Sequence, residues 1–304
     1  MKEVLITGGA GFIGSHAVER FLEDGYRVTV LDIKPQETAT NIAHLIDDIS
    51  YVEGDICNRE IVETLINSNT HVLHLAAIVS VPESIKNPVE SHRTNVDGTL
   101  VIFDVVRQTG APKVVFASSA AVYGDTKVVP TSEQTKLQPQ SPYALHKKLN
   151  EEYASLYAEV YGVSYVGLRF FNVYGIRQDP LSPYSGVITI FNKKIKAGES
   201  VEIFGDGEAT RDFIHVKDVV GACFLTLNDE SVQTQIFNVG TGKSLSINTV
   251  YAKLAELYNF KQPPSHLPDR KGDIKHSCAD ISKIKNELNF NLGIDFSKGI
   301  SDLK

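Results

Sequence analysis

The sequence predicts an α/β protein built on a doubly wound parallel sheet. Three features predict this class. β-rich runs alternate with amphipathic helical stretches through the first half of the chain, the runs are mostly apolar along their length, and a glycine-rich turn follows the first of them. Strands that are apolar on both faces are typical of a parallel sheet covered by helices on both sides. Regular alternation of strand and helix then favours the doubly wound arrangement.

The predicted elements follow one another in a regular order. The strands are Glu3–Thr7, Arg27–Asp32, Ser50–Glu53, His71–Leu75, Lys113–Ser118 and Val163–Arg169. The helices are Ile13–Asp24, Arg59–Ile66, Val89–Gln108 and Pro142–Tyr161. These connections are long enough to cross from one parallel strand to the next.

The pattern changes after about Phe171, where prolines and glycines interrupt shorter elements. We predict a second, smaller α/β lobe built from two separated segments. The β-rich run Gln235–Val239 indicates that the chain returns to the sheet between them. The predicted division gives residues 1–171 plus about 212–240 to the sheet lobe, and residues 172–211 plus 241–304 to the second lobe.

Composition excludes some classes of function. The 304 residues carry a formal net charge of -7, without the excess of cations that a general nucleic-acid binder needs. Cys57, Cys223 and Cys278 lie far apart without metal-ligand spacing, so we expect reduced thiols and no metal site. The chain opens with a strand instead of a signal peptide, and it contains no apolar run of ~18 residues. A soluble, cytoplasmic protein with no membrane segment is therefore predicted.

The segment Thr7–Gly14 (TGGAGFIG) joins the first predicted strand to the first predicted helix. In this context Gly8 permits a tight turn, Gly11 lets the backbone approach a pyrophosphate, and Gly14 lets the helix lie close to the sheet. The N-terminus of the helix adds free N–H groups and a partial positive charge. The segment therefore predicts a dinucleotide-binding turn, with a turn that binds nothing as the plain alternative.

Two aspartates indicate which dinucleotide binds. Asp32 closes the second strand, where a carboxylate accepts hydrogen bonds from both ribose hydroxyls and repels a 2′-phosphate. NAD is therefore favoured over NADP, although Lys34 nearby weakens the exclusion. Asp55, after the third strand, is expected near the adenine amino group; on its own it fits a surface turn equally well.

Three residues suggest the chemistry. Ser119 lies at the end of the fifth strand, the edge at which open α/β sheets bind ligands. Tyr143 and Lys147 are four residues apart at the start of a helix, hence on one face. Tyrosine has a reference pKa of ~10, and a neighbouring ammonium and a cationic nicotinamide favour its phenolate. The tyrosine–lysine spacing alone usually marks a solvated helix face, and it becomes informative only beside the serine and the glycine turn.

Together these motifs resemble the extended short-chain dehydrogenase/reductase family. The resemblance is carried by Thr7–Gly14, Asp32, Gly54–Ile56 (GDI), His74–Ala77 (HLAA), Asn95, Ser118–Gly124 (SSAAVYG) and Ser141–Lys147 (SPYALHK). It runs nearly end to end and narrows to UDP-sugar 4-epimerases of the UDP-galactose and UDP-N-acetylglucosamine kind. It implies a Rossmann fold, NAD as cofactor and a UDP-sugar as substrate, and it specifies the superfamily more strongly than the sugar.

The resemblance implies a role for each matching residue. Tyr143 is the expected base, Lys147 its partner and a nicotinamide-ribose ligand, and Ser119 the serine that binds the sugar hydroxyl. The implied cofactor-binding residues are Gly8, Gly11, Phe12, Ile13, Gly14, Asp32, Asp55, Ile56, Leu75, Ala76, Ala77, Asn95, Tyr143 and Lys147. His74 is left out, because its apolar neighbours favour a structural, packed side chain.

The second half of the chain matches the segments that bind UDP in these epimerases. The matching segments are Leu168–Gly175 (LRFFNVYG), Thr210–Val216 (TRDFIHV) and Asp269–Asp273 (DRKGD). Arginines there suit phosphate oxygens, although a surface salt bridge is the simpler interpretation of any one of them. The implied substrate-binding residues are Ser80, Ser84, Ser118, Ser119, Asn172, Val187, Phe204, Arg211, Arg270, Asp273 and Ser277.

Two features point to an acetamido sugar. Val79 replaces the lysine that some members carry after the fourth strand, and the serine-bearing segment Ser80–Ser84 recurs among epimerases of acetamido sugars. Ser277 lies four residues after Asp273 and matches a position beside the sugar C2 group. In the family a tyrosine there narrows the pocket, and a small residue leaves room for an N-acetyl group. A shift of one residue in the alignment would move Ser277 away from that position.

The expected reaction is epimerisation at C4 through a transient 4-keto sugar, without net redox change. The alternatives are a 4,6-dehydratase or decarboxylase, and a catalytically silent NAD-binding regulator. Family dehydratases place Asp-Glu where this chain has Ala120 and Ala121, and silent members tend to lose the tyrosine or the lysine. Helices Val89–Gln108 and Pro142–Tyr161 match the pair that forms dimer bundles in this family, so a homodimer is expected.

Overall fold

A seven-stranded parallel sheet forms the centre of the computed structural model, which describes residues 2–179, 186–269 and 274–304. The strand order is β11-β6-β5-β4-β1-β2-β3. The strands are β1 (Glu3–Thr7), β2 (Arg27–Asp32), β3 (Ser50–Glu53), β4 (Thr70–His74), β5 (Val114–Ser119), β6 (Tyr165–Phe170) and β11 (Gln235–Val239). The predicted doubly wound sheet is confirmed, including the late return of the chain at β11.

Helices cover both faces of this sheet and build much of the second half. They are α1 (Phe12–Glu23), α2 (Arg59–Leu65), α3 (Val81–Lys86), α4 (Pro88–His92), α5 (Gly98–Thr109), α6 (Pro142–Tyr161), α7 (Val187–Lys196), α8 (Val216–Asn228), α9 (Ile247–Leu257), α10 (Ser282–Leu288) and α11 (Phe296–Ser301). Short 3-10 helices span Gln36–Thr38, Thr40–Asp48 and Ala120–Tyr123. None of the helices among the described residues is long and apolar enough to cross a membrane.

The predicted helix Val89–Gln108 is confirmed as a continuous helical stretch, but the π-helical turn inside it was not predicted. A π-helical turn at Arg93–Asp97 separates α4 from α5. Such a turn inserts one residue into the helical repeat and rotates the side chains that follow. Asn95 lies inside the turn and is 1% exposed, so the irregularity positions a polar side chain against the sheet.

Three groups of buried apolar side chains hold the fold together. One lies beneath α1, α8 and α10 and includes Phe21 and Phe237. A second lies on the opposite face beneath α2, α5 and α6 and includes Phe103 and Phe116. Burying an aromatic side chain of this size contributes about 2–3 kcal/mol of transfer free energy. The third group, which includes Phe191, joins α7 to α9 away from the sheet.

Short strand pairs carry the second half of the chain across the edge of the sheet. They are β7 (Asn172–Tyr174), β8 (Glu202–Phe204), β9 (Thr210–Arg211), β10 (Phe213–His215), β12 (Leu245–Ser246) and β13 (Ser265–Leu267). β10 pairs with β7 and β13 with β8 in parallel, whereas β12 pairs with β9 antiparallel. The division into two lobes stays a prediction; Ile281, Ile284 and Leu288 pack with the core of the sheet and not with the third apolar group.

Candidate active site

The glycine turn between β1 and α1 has room for backbone only. Gly8 has φ +72°, and a Cβ there would lie 2.8 Å from the backbone nitrogen of Ala76. A Cβ on Gly14 would lie 2.1 Å from the carbonyl oxygen of Gly8. Gly11 caps α1 without any side-chain hydrogen bond, so the N–H groups at the start of the helix, at Phe12 and Ile13, remain available. The turn therefore fits the pyrophosphate of a dinucleotide.

Asp32 lies beside this turn with its carboxylate already oriented. Its Oδ2 accepts from the backbone N–H of Ala10 at 2.9 Å, and its Oδ1 accepts from that of Lys34 at 3.1 Å. The residue is 8% exposed. Because each oxygen keeps a second lone pair, the carboxylate is available to the hydroxyls of a ribose.

Asp55 and Ile56, two of the predicted cofactor-binding residues, differ in their contacts and in their exposure. Asp55 accepts from the backbone N–H of Cys57 at 2.9 Å and pairs with Arg93 at 2.8 Å. Burial alone raises the pKa of Asp55, but these two partners outweigh it and hold the pKa below its usual value. Ile56 is 4% exposed and packs in the core against the turn at Gly98, so its side chain is occupied by packing.

A buried hydrogen-bond chain fixes the loop after β4, which contains Leu75, Ala76 and Ala77. Asn95 holds both backbone groups of Ile78, accepting from its N–H at 2.7 Å and donating to its carbonyl at 2.9 Å. His74 lies between the hydroxyls of Thr7 and Thr99, at 2.7 and 3.0 Å. Burial, helped by the charge of Lys147, lowers the pKa of His74 to about 3. His74 is thus a neutral structural residue, as its apolar neighbours indicate.

Tyr143 and Lys147 occupy the first turns of α6. The Lys147 ammonium donates to the carbonyl of Ala117 at 2.7 Å and lies 5.8 Å from the centroid of the Tyr143 ring. Burial lowers the pKa of Lys147 to about 8. Burial also raises the pKa of Tyr143, and a hydrogen bond with Ser119 opposes that rise. A positive charge brought next to the ring favours the phenolate, so the site suits a cationic cofactor.

A cavity of about 290 Å³ adjoins Ser119 and Tyr143. Its lining contains the predicted catalytic residues Ser119 and Tyr143 together with the predicted substrate-binding residues Asn172, Arg211 and Ser277. Residues from β5, α6, β7, β9 and the C-terminal tail therefore contribute to one cavity. Ser277 is held there by its backbone, which donates to the carbonyl of Thr210 at 3.1 Å.

Ser84 and Ser118, both predicted to contact substrate, are buried and hydrogen-bonded within the protein. Ser84 is 0% exposed; it donates to the carbonyl of Val81 at 2.7 Å and accepts from the N–H of Tyr143 at 3.1 Å. Ser118 is 2% exposed and donates to Glu151 at 2.5 Å. Neither hydroxyl is exposed to the cavity. Both hold neighbouring groups in place behind its wall.

The other predicted substrate residues lie away from the described lining of the cavity. Ser80 caps α3 by accepting from the N–H of Glu83 at 3.0 Å. Val187 begins α7 and packs against the third apolar group, and Phe204 on β8 is 36% exposed. Substrate contacts of Ser80, Val187 and Phe204 stay predictions. Arg270 and Asp273 lie outside the described residues.

Several lining residues were missed by the sequence analysis. Thr126 and Thr131 line the cavity from the segment that follows the 3-10 helix after β5, and His276 lines it beside Ser277. Thr131 is placed by its backbone, whose N–H donates to the carbonyl of Cys278 at 2.8 Å. No local motif marks such a contact, because it joins parts of the chain that are distant in sequence.

The fold and this site define a dinucleotide-binding Rossmann enzyme with a serine–tyrosine–lysine set. The family model described as "NAD dependent epimerase/dehydratase family" matches residues 4–240, and the chain belongs to this family. The predicted resemblance and the prediction of NAD as cofactor are confirmed.

Relatives of known name match almost the whole chain. A UDP-glucose 4-epimerase of Mycolicibacterium smegmatis is 36% identical over 301 residues, covering 98% of this chain and 96% of that protein. The structure of UDP-glucose 4-epimerase from Thermotoga maritima, solved with UDP-glucose, matches with TM-score 0.93 at 36% identity and covers 99% and 97% of the two chains. The UDP-N-acetylglucosamine 4-epimerase from Methanobrevibacter ruminantium M1, in complex with UDP-N-acetylmuramic acid, matches with TM-score 0.94 at 36% identity, covering 100% and 97%.

The geometry of Asp32 predicts the nucleotide that the protein retains. Denatured protein should release NAD(H) and essentially no NADP(H), as resolved by chromatography. Asp32→Ser removes the carboxylate that accepts from the ribose, and a net loss of about 1.5–3 kcal/mol, that of one charged hydrogen bond, should lower NAD affinity roughly 10- to 150-fold. Asp24→Ser, at the exposed end of α1, is the matched control and should bind NAD normally. Release of NADP as the main nucleotide would contradict the role of Asp32.

Proposed function

We propose that this chain is an NAD-dependent UDP-sugar 4-epimerase. The observation that carries the proposal is the shared cavity. A tyrosine and a serine suited to move a proton lie in the same enclosure as an arginine suited to a diphosphate, and the relatives of known name are mainly UDP-sugar 4-epimerases. Fold alone does not give this result, since Rossmann folds host many reactions.

Each residue of the site has a separate role in the proposed reaction. Tyr143 takes the proton from the sugar 4-hydroxyl and later returns it, and Ser119 holds the same hydroxyl by a hydrogen bond. The Lys147 ammonium supports the phenolate and holds the nicotinamide ribose. When bound, NAD supplies the hydride acceptor and donor at C4. Asn172 and Arg211 anchor the diphosphate, so binding energy remote from the reacting carbon positions the sugar.

Epimerisation also requires the 4-keto sugar to turn over inside the cavity. The lining of the cavity includes Val79, Val81, Ala120 and Ala121, whose side chains are apolar. Anchoring the UDP while leaving the sugar against apolar walls lets both faces of C4 reach the cofactor. This arrangement explains how one set of residues serves both epimers.

The dehydratase alternative is disfavoured by the cavity itself. Elimination of water across C5 and C6 needs an acid/base pair in addition to the tyrosine. Among the described lining residues the ionisable side chains are Tyr123, Tyr143, Arg211 and His276, with no carboxylate. A decarboxylase of 31% identity is also among the relatives, and it is named for UDP-N-acetyl-α-D-glucosaminuronate. Product mass separates these reactions, since only an epimer keeps the mass of the substrate.

The test is to incubate purified protein separately with UDP-glucose and UDP-N-acetylglucosamine and to resolve the products. Wild-type protein should form the C4 epimer without added NAD. Tyr143→Phe should lower kcat by roughly 10²–10⁴-fold, because it removes a positioned acid/base, while NAD stays bound. Tyr161→Phe, exposed at the end of the same helix, is the control. A Tyr143→Phe variant that keeps most of its kcat would show that Tyr143 is not the base.

Ser277 predicts which sugars enter the cavity. Its small side chain lines the wall, so we propose that acetylated UDP-sugars are accepted, with UDP-glucose and UDP-galactose as further substrates. Ser277→Tyr should lower kcat/KM for UDP-N-acetylglucosamine far more than for UDP-glucose, because packed walls yield little to an added ring. Ser282→Tyr, on the exposed start of α10, is the size-matched control. Equal losses for both sugars would place Ser277 outside the sugar pocket.

We further propose that the protein is a cytosolic homodimer. Its thiols are free, as in a reducing compartment. Apolar side chains protrude from α4 and α6, where Val89 is 83% and Leu145 44% exposed beside a groove lined by Pro88, His92 and Pro142. Covering these side chains in a second copy follows the tendency of exposed apolar patches to mark interfaces.

Charge on that face should separate the two copies. A protein carrying both Val89→Glu and Leu145→Glu should sediment as a monomer, since two carboxylates per subunit would lose water on association. Leu225→Glu, which adds a charge at a partly exposed position on α8, should leave the dimer intact. A variant that still sediments as the wild type would place the interface elsewhere.

A further inference from the structure

A buried ion pair lies beneath the catalytic helix and has no part in the mechanism above. The Arg169 guanidinium donates to both carboxylate oxygens of Glu151, from Nε at 2.9 Å and from Nη2 at 2.6 Å. Their side chains are 6% and 7% exposed. Ser118 donates to the same carboxylate at 2.5 Å, so Glu151 is held from β5 and from β6.

The ion pair is also connected to the wall of the cavity by hydrogen bonds. Arg169 also donates to the hydroxyl of Tyr123 at 2.8 Å, and that hydroxyl donates to Asn238 at 2.6 Å. Tyr123 lines the cavity, whereas Asn238 belongs to β11. Buried charges are expensive unless paired, and a pair so fully bonded has a fixed geometry.

Glu151 lies on α6 four residues after Lys147, as Lys147 lies four residues after Tyr143. Residues at this spacing are neighbours on one face of a helix. The carbonyl that accepts from the Lys147 ammonium belongs to Ala117, next to the serine that holds Glu151. The base, its ammonium partner and the carboxylate therefore form one row, with the carboxylate at the end farthest from the start of the helix.

The charges around Lys147 come from few residues. Burial lowers the pKa of Lys147 to about 8, and the negative charge of Glu151 opposes that shift. The other ionisable groups facing Lys147 are Tyr143 and His146 on α6 and His74 on β4. Both histidines have pKa values below the usual range because they are buried, so they are neutral at physiological pH. Glu151 supplies the negative charge that counters the desolvation of the ammonium.

We propose that Glu151 is a positioning residue of the active site: its carboxylate, held by Arg169 and Ser118, supports the Lys147 ammonium from one helical turn further along α6. The proposal rests on the proposed function, in which that ammonium sustains the Tyr143 phenolate. Arg169 fixes the carboxylate, because its guanidinium donates to both carboxylate oxygens.

The test is the titration of Lys147 in NAD-loaded protein with Glu151→Gln. Lysine is charged below its pKa and loses its charge as the pH rises through it. Loss of the neighbouring negative charge should therefore move the midpoint of Lys147 down by about one pH unit. Side-chain nitrogen resonances of isotope-labelled lysine give that midpoint by NMR, with Lys147 assigned from a Lys147→Met sample. Glu152→Gln removes an exposed carboxylate next to Glu151, paired with Lys148 at 3.3 Å, and should leave the midpoint unchanged.

The same shift should appear in the kinetics. The alkaline limb of kcat should move to lower pH by a similar amount in Glu151→Gln, with KM for the UDP-sugar little changed. If Arg169, left unpaired, prevents folding, Glu151→Gln combined with Arg169→Gln removes both charges and should lower the midpoint by a smaller amount, because the loss of the more distant positive charge partly offsets the loss of the negative one. A midpoint equal to that of wild type in either folded variant would overturn the proposal. Failure of wild-type protein to epimerise any UDP-sugar would refute the proposed function alone, because the NMR titration needs no substrate.

Discussion

The parallel direction of all seven strands is the constraint on which the site depends. Their carboxyl ends meet at one edge, and between β1 and β4 the chain turns to opposite sides of the sheet. That divergence leaves a crevice in which a dinucleotide lies across the strand ends. The glycine turn follows β1, Asp32 ends β2 and Ser119 ends β5. Because the strands are parallel, these three parts of the site lie at the same edge of the sheet.

In the second half of the chain, a buried aspartate holds distant segments together. Asp212 is 0% exposed and accepts from the N–H and hydroxyl of Thr241, at 2.8 and 2.6 Å, and from the N–H groups of Gly242 and Ala279, each at 3.0 Å. Burial raises the pKa of Asp212 in spite of these bonds. The tail is thereby fastened, two residues beyond Ser277, to the loop that follows β11, which fixes the part of the cavity wall that Ser277 lines.

The sequence predicts those features that depend on local motifs and on the spacing of apolar residues along a helix or strand. The range Pro142–Tyr161 agrees with α6, because proline at the first turn and a serine cap mark its start. The range Val89–Gln108 is helical as predicted, but its π turn was missed, since one inserted residue leaves the apolar period almost unchanged. Ser84 and Ser118 were assigned to the substrate because motifs identify a neighbourhood and do not show which way a hydroxyl faces. Thr131 was missed, because a contact with the distant tail places it.

In the proposed epimerisation, the sugar is oxidised and then reduced at C4 within one enclosed site. Substrate carrying deuterium at C4 tests it directly, by mass spectrometry and NMR of the product formed in ordinary water. The hydride leaves C4 and returns to the same carbon without exchange with solvent. We therefore expect an epimer that keeps its deuterium at C4 and that forms with no added cofactor. Loss of the deuterium to solvent, or a product that accumulates only when NAD is supplied in stoichiometric amounts, would contradict it.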